Sequence, residues 1–337
     1  MRALRKPHTE GREYVTLCDY RFLPKALALH ASLLDHCTDF RLSIVALDEE
    51  CHRTLRQLTL PSVSVIGLGD IEAEFPDLLV AKCNRSQVEY YYTLSPAVCR
   101  YTLARVSEED ILTYLDADMF FFASPGRVFD ALDGASIGIT PHRHSRSWYQ
   151  ARKTGEFNVG WVSFRNDDNG RACLAWWYER CVEWCYQRCE SGKYADQGYL
   201  DEFPNRFAGV RVLDDPGVNL APWNLARYRV TQSGGRVLVD GVPLVCFHFA
   251  ECEQVSRWHY STNSAATFVW LTPTLRRALF HPYVAMLRKV APMGLPTSLR
   301  RASVKDLLSR RGPRMIVKSL RNIMMMQYVF VFGEHYF

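Results

Sequence analysis

From residue 14 onward, short apolar runs alternate with segments whose apolar residues recur at helical spacing, and this alternation constrains the fold most. Residues 14–18 read as a strand. A helix follows over 23–34, where Ala26, Leu27, Leu29, His30, Leu33 and Leu34 form one stripe and Pro24 sits near the start, where a missing amide hydrogen does no harm. Residues 41–47 read as a strand, 51–58 as a helix and 63–68 as a strand. Strands joined in this order through helices give a parallel sheet covered on its faces, which places the chain in the α/β class. No Gly-x-Gly-x-x-Gly follows the first strand, which argues against a dinucleotide held on a helix N-terminus. Residues Thr16, Leu17, Cys18, Asp19 and Tyr20 can still hold a base, through backbone groups and Asp19.

The chemistry concentrates in residues 111–122, Ile-Leu-Thr-Tyr-Leu-Asp-Ala-Asp-Met-Phe-Phe-Phe. Residues 111–115 suit a strand buried on both faces. Asp116 and Asp118, separated by Ala117, emerge where open α/β sheets bind ligands. Side chains two apart on an extended chain point the same way, so both carboxylates can face one divalent cation, with an anionic diphosphate completing its shell. A turn or helix N-cap is the bland alternative. The large apolar residues on both sides weigh against a surface turn. A phosphatase-type Asp pair fits poorly, since Met119 and Phe120 follow it and it lies well into the chain.

The length of 337 residues allows one large domain, or one with an appendage. Hydrophobic content of 48%, charged content of 23% and a net charge of +5 describe an ordinary soluble globular protein rather than a nucleic-acid binder. Neither an apolar signal segment nor a run of about eighteen apolar residues is found, so the expected location is the cytoplasm. The odd count of 11 cysteines, scattered through apolar segments, then reads as reduced thiols.

Further candidates follow. Residues 89–106 read as a helix with Pro96 as a break or first-turn residue, and Arg100 on it is aimed at the carboxylate pair or else at solvent. His142 and His144, among Arg143 and Arg146, suggest a mobile basic loop, a lid over phosphate, more than a metal site. The strand 156–164 carries Asn158, an amide suited to a sugar hydroxyl or to a structural turn. Residues 171–189 read as one helix with Cys181, Cys185 and Cys189 on a face, a pattern of core packing rather than zinc ligation. Asp196 and Gln197 open another helix, where a cap is the competing role of Asp196. Strands are expected at 227–230, 236–239 and 243–249 with hairpin turns between, and the last of them delivers His248 near an exposed edge.

Tyr-Leu-Asp-Ala-Asp at 114–118, Phe-Asn-Val-Gly at 157–160, Asp-Gln at 196–197, Pro-Trp-Asn at 222–224 and Phe-His-Phe at 247–249 stand in the order seen in glycosyltransferases of the GT-A fold. Over residues 14–260 the chain most resembles family 8, which includes glycogenin and bacterial lipopolysaccharide galactosyltransferases. The resemblance implies a mixed, mostly parallel central sheet flanked by helices. It implies that Asp116, Asp118 and His248 hold Mn2+ or Mg2+, the imidazole favouring manganese. Thr16, Leu17, Cys18, Asp19 and Tyr20 would cradle the base, usually uracil, and Arg100 would hold the nucleotide sugar together with Asp116 and Ala117. Asn158 and Asp196 would bind its sugar hydroxyls, with Gln197 beneath the anomeric carbon. The implied activity is retaining transfer from a nucleotide-diphosphate sugar, such as a UDP-hexose, to a glycan or lipid-linked acceptor in cell-surface polysaccharide or lipopolysaccharide synthesis. A silent nucleotide- or glycan-binding scaffold and a sugar nucleotidyltransferase are the alternatives. The chain departs from the family after His248, where a Gly and a Lys-Pro-Trp are expected and Ala250 and Arg257-Trp258 stand; Arg257 is the expected substitute for the phosphate-binding lysine.

The GT-A domain is thus expected over 1–272 and a basic, amphipathic, helical extension over 273–337. Twelve Lys and Arg accompany the single acidic Asp306 from 276 to 321. Such a segment can lie on the cytoplasmic face of an anionic membrane as a peripheral contact, or pack on the domain with a solvated basic face.

Overall fold

A computed structural model describes residues 12–145, 154–256, 259–262, 269–290, 328–332 and 335–336. The chain begins with β1 (Arg12–Cys18), α1 (Leu23–His36), β2 (Phe40–Ala46), α2 (Glu49–Leu58) and β3 (Val63–Gly67). It continues through α3 (Leu68–Glu74), α4 (Leu78–Asn84), α5 (Gln87–Leu103), β4 (Ile111–Leu115), β5 (Met119–Phe121), α6 (Gly126–Ala131), β6 (Ile137–Pro141), β7 (Phe157–Arg165) and α7 (Asp168–Glu183). The later part holds α8 (Phe203–Arg206), β8 (Val210–Val212), β9 (Val230–Ser233), β10 (Arg236–Val239), β11 (Val242–Pro243), β12 (Cys246–His248), β13 (Glu253–Ser256), β14 (His259–Ser261), α9 (Pro273–Leu275), α10 (His281–Val290), β15 (Tyr328–Phe332) and β16 (His335–Tyr336).

The central sheet has seven strands in the order β3-β2-β1-β4-β7-β6-β8. Only β7 runs against its neighbours; β1 pairs in parallel with both β2 and β4, and β6 with β8. The expected parallel alternation therefore holds across the first half, and the mixed, mostly parallel sheet is present. Period-two alternation splits the strands between two cores. Val15, Leu112 and Tyr114 face the layer of α5 and α7, while Tyr14, Cys18 and Leu115 face that of α1.

Helix starts follow local chemistry. The Asp48 carboxylate accepts from the Cys51 amide at the head of α2, and Ser86 and Glu89 form a reciprocal capping box on α5. Pro96 does not break α5, which runs through it. The helix expected over 171–189 stops at Glu183, because Arg85 donates to the Cys181 and Val182 carbonyls and satisfies the terminal acceptors. Cys185 is buried beyond the helix end and Cys189 is exposed, so the three thiols do not share a helical face. The strand expected at 227–230 is displaced to β9, behind a short turn at Leu225–Arg227.

Residues 273–290, placed in an extension by sequence, contribute to a third core. Tyr283 stacks on Phe249 with ring centroids 3.8 Å apart, and Phe280 packs edge-on against the same ring. Both are fully buried, each worth roughly 1.5–3 kcal/mol. Strand β15 pairs with β14 and adds Val329 and Val331 to this cluster. The rest of the basic segment, 291–327, lies outside the described residues. Among the described residues no helix is long and apolar enough to cross a membrane.

Candidate active site

Strand β4 delivers Asp116 just past its carboxyl end, and the Met119 amide turns back to the Asp116 carbonyl at 3.0 Å. The chain then enters β5, which pairs antiparallel with β12 so that Met119 stands opposite His248. A second tie, from the Phe249 amide to the Asp118 carbonyl at 2.9 Å, fixes this register. This small sheet brings together residues 130 positions apart in sequence. His248 Nε2 lies 3.0 Å from Asp118 Oδ1 and 3.5 Å from Asp116 Oδ2, and one atom from each of the three residues lies within 4.8 Å of the others.

The imidazole is aimed from behind. Asn219 Nδ2 donates to Thr140 Oγ1 and Asn158 Oδ1, which leaves its oxygen facing His248 Nδ1 at 3.3 Å. Nδ1 therefore carries the proton and Nε2 points at the carboxylates. Two oxygens and an imidazole held by a neighbouring acceptor fit a divalent cation. A Cβ at Gly160 would lie 2.6 Å from His248 Nδ1 and 2.6 Å from Asn158 Oδ1, so only glycine leaves room for this arrangement.

Charge is distributed unevenly. Burial raises the Asp118 carboxyl, but the charges of His248 and Lys25 overcome this and hold it well below the usual carboxylate range. Burial moves Asp116 upward, against the pull of His248. Burial likewise opposes protonation of His248, but Asp118 and then Asp116 outweigh it and raise the ring. The Tyr114 hydroxyl donates to Asp116 Oδ1 at 3.1 Å.

Asn158, Asp196 and Gln197 lie beside this cluster. Gln197 donates from Nε2 to the Thr154 carbonyl at 2.8 Å, and Asn158 Nδ2 reaches Gln197 Oε1 at 3.5 Å. Asn158 Oδ1 already accepts from Gly160 and Asn219, so its amide is held rather than free. Asp196 is 5% exposed; burial pushes its carboxyl up to about 7, opposed by a hydrogen bond from Ser95 and aided by the Asp116 charge. It precedes a 3-10 turn at Gln197–Glu202 and makes no side-chain cap there.

His142 departs from the expectation of a mobile basic loop. It is 4% exposed, stacks on His144 at 4.5 Å and meets Asn158 Nδ2 through Nε2 at 3.3 Å. Burial, then the His144 ring, lowers it to about 3, so it is a neutral acceptor under Asn158. Arg143 is buried too, its guanidinium spent on the Asp215 and Val218 carbonyls.

Residues 16–20 close the carboxyl end of β1. Thr16 is fully buried, Cys18 lies 3.7 Å from Cys51 sulfur to sulfur, and Leu17, Asp19 and Tyr20 are half-buried. The Tyr20 amide donates to Asp48 Oδ2 at 2.7 Å, and Asp19 Oδ1 accepts from the Phe22 amide at 2.9 Å. Ala117, between the carboxylates, is 7% exposed.

Arg100 is not brought to the carboxylates. It sits in the last turn of α5. Its guanidinium instead lies 4.6 Å from the Tyr178 ring centre and 5.1 Å from that of Phe75. Arg257 lies outside the described residues. Sequence reasoning missed Asn219, Ser95, Tyr114 and Lys25, the last with its Nζ 3.5 Å from Asp118 Oδ2. Tyr114 alone had a visible signal, an aromatic hydroxyl two residues before Asp116.

The fold and the Asp-x-Asp strand end together define the GT-A class of architecture, and the fold that the resemblance implied is borne out by the structure. The crystal structure of the galactosyltransferase LgtC, in complex with donor and acceptor sugar analogs, superposes with a TM-score of 0.52 at 16% identity, covering 82% of this chain and 95% of that one. No protein-family model matches the chain. The chain belongs to one family with the uncharacterized proteins YfnD and YfnF of Bacillus subtilis (strain 168). YfnD is 30% identical over 287 residues, 82% of this chain and 88% of that protein. YfnF is 33% identical over 269 residues, 76% of this chain and 88% of that protein.

Proposed function

We propose that this protein is a metal-dependent, retaining glycosyltransferase that moves a hexose from a UDP-sugar to a glycan or lipid-linked acceptor, in the synthesis of a cell-surface polysaccharide or lipopolysaccharide. The observation that carries the reading is the convergence of Asp116, Asp118 and His248 at the carboxyl end of the sheet, beside the linked amides of Asn158 and Gln197.

Asp116, Asp118 and His248 hold the ion, Mn2+ before Mg2+ because one ligand is an imidazole. When bound, the ion supplies positive charge against the departing diphosphate. The base rests on residues 16–20. Asn158 and Asp196 take sugar hydroxyls, and Gln197, fixed by the Thr154 carbonyl, stands at the anomeric carbon. An amide is a poor nucleophile, so a covalent intermediate on Gln197 is disfavoured. Attack on the same face as departure, with a diphosphate oxygen taking the acceptor's proton, uses no further protein base. Asp196 as the nucleophile is the lesser reading, since its carboxyl is held near neutrality.

The test is release of nucleoside diphosphate from a panel of nucleotide sugars, with and without Mn2+, for the wild type and Asp118→Ala. Turnover of one sugar nucleotide only with metal, lost in the variant, is the expected result. Pyrophosphate as the product would assign a nucleotidyltransferase. Inertness toward every nucleotide sugar, with no metal-dependent nucleotide binding by calorimetry, would leave a scaffold.

A further inference from the structure

The proposed reaction leaves Lys25 without a task. It is the third residue of α1, where the helix's positive end disfavours a cation, and its side chain is only 10% exposed. An ammonium in such a place loses hydration as well. Two features compensate: Asp118 Oδ2 at 3.5 Å, and the ring of Phe22, whose centre lies 4.4 Å from Nζ. Asp118 is therefore divided between two partners. Its Oδ1 faces His248 Nε2, the side from which a metal is held, and its Oδ2 faces Lys25.

We propose that Lys25 is a built-in counter-cation that makes divalent metal binding at Asp116, Asp118 and His248 depend on a nucleoside diphosphate. The inference rests on the metal reading of that cluster. Two carboxylates and one ammonium leave the site with a single net negative charge, and a divalent ion then makes it net positive. Lys25 thus repels the bare ion and attracts the diphosphate that arrives with it. By reciprocity each ligand then raises the affinity of the other. The ammonium also occupies Oδ2, which keeps Asp118 turned to the cluster through one oxygen. Without Lys25 the loaded site is neutral, so bare metal binds more tightly and the diphosphate gains less.

The experiment is Mn2+ binding to the full chain, followed by the electron paramagnetic resonance signal of free Mn2+, with and without uridine diphosphate. It compares the wild type, Lys25→Met, Lys25→Gln and Lys25→Arg, with thermal melts to check folding. The Met and Gln variants are expected to bind Mn2+ alone about tenfold more tightly, with the gain on adding uridine diphosphate reduced about tenfold. Lys25→Arg stays near the wild type in both. A folded Met or Gln variant whose affinity for Mn2+ alone is unchanged or weaker, or whose nucleotide gain is undiminished, overturns the proposal. A wild type that takes up no Mn2+ with or without the nucleotide is a different pattern, and it removes the metal reading together with this inference.

Discussion

Asn219 Oδ1 lies 3.3 Å from His248 Nδ1, and this contact turns the far side of the imidazole toward Asp116 and Asp118. Asn219 is fully buried, at a φ of +53° that asparagine tolerates better than most residues. It ties together β6 through Thr140, β7 through Asn158, and β12 through His248. The orientation of the histidine thus depends on three strands at once.

Replacing Asn219 with Ala leaves the His248 Nδ1 donor without its acceptor, leaves Thr140 Oγ1 and Asn158 Oδ1 without the Asn219 amide donor, and leaves a strained backbone. Metal affinity is expected to fall 10–100-fold, as for other lost partners of a ligating histidine. Stability is expected to drop by about 2–3 kcal/mol. Asn219→Asp keeps the acceptor and should retain more of the metal binding. Mn2+ titration and denaturant unfolding of the two variants measure both effects; equal metal affinity in Asn219→Ala and the wild type would deny the residue its orienting role.

Gly160→Ala tests the close approach behind the same ring. The added methyl meets His248 and Asn158 at 2.6 Å, so both side chains must move. A displacement near 1 Å costs on the order of 100-fold in turnover, while overpacking costs about 1–3 kcal/mol of stability. Nucleoside diphosphate release should therefore collapse in a protein that still melts cooperatively. Retained turnover would mean that the ring does not have to stand where it does.

The Asp-x-Asp strand end was legible because local pattern suffices for it: a short apolar run that stops at two carboxylates. The alternation of β1 to β3 with α1 and α2 was legible for the same reason. His248 was visible as a polar residue inside an apolar run, but its place beside Asp116 comes from the pairing of β5 with β12, which no local pattern encodes. Asn219 lies in irregular chain with no period to read, and Lys25 looks like any first-turn lysine until Asp118 is beside it. The end of α7 depends on Arg85, 96 residues before the carbonyl it satisfies.

Arg100 gives a test that separates the sequence expectation from the structure. Stacked between Phe75 and Tyr178, it contributes packing and a cation–π contact worth about 1 kcal/mol. Arg100→Leu is expected to lower stability by about that much and to leave sugar-nucleotide turnover within about twofold of the wild type. A hundredfold loss of turnover with an unchanged melting temperature would return Arg100 to the nucleotide-sugar site.

Asp196 makes the stability of this protein depend on pH in a stated direction. Burial raises its carboxyl to about 7 in the folded chain, against about 3.9 in an unfolded one. Between those values the native state binds a proton that the unfolded state has given up. Its contribution is thus fully present below about pH 4, declines as pH rises to about 7, and is level above that. Asp196→Asn is neutral throughout and lacks this decline. The stability of the variant relative to the wild type is expected to rise by up to about 4 kcal/mol between pH 4 and pH 8, and the proposed role of Asp196 as a sugar-hydroxyl partner adds that turnover falls. Urea unfolding at unit pH steps measures the first effect. Parallel curves for the two proteins across that range would show that the Asp196 carboxyl is ionised in the folded state, and that the residues around it stabilise a buried charge rather than a buried proton.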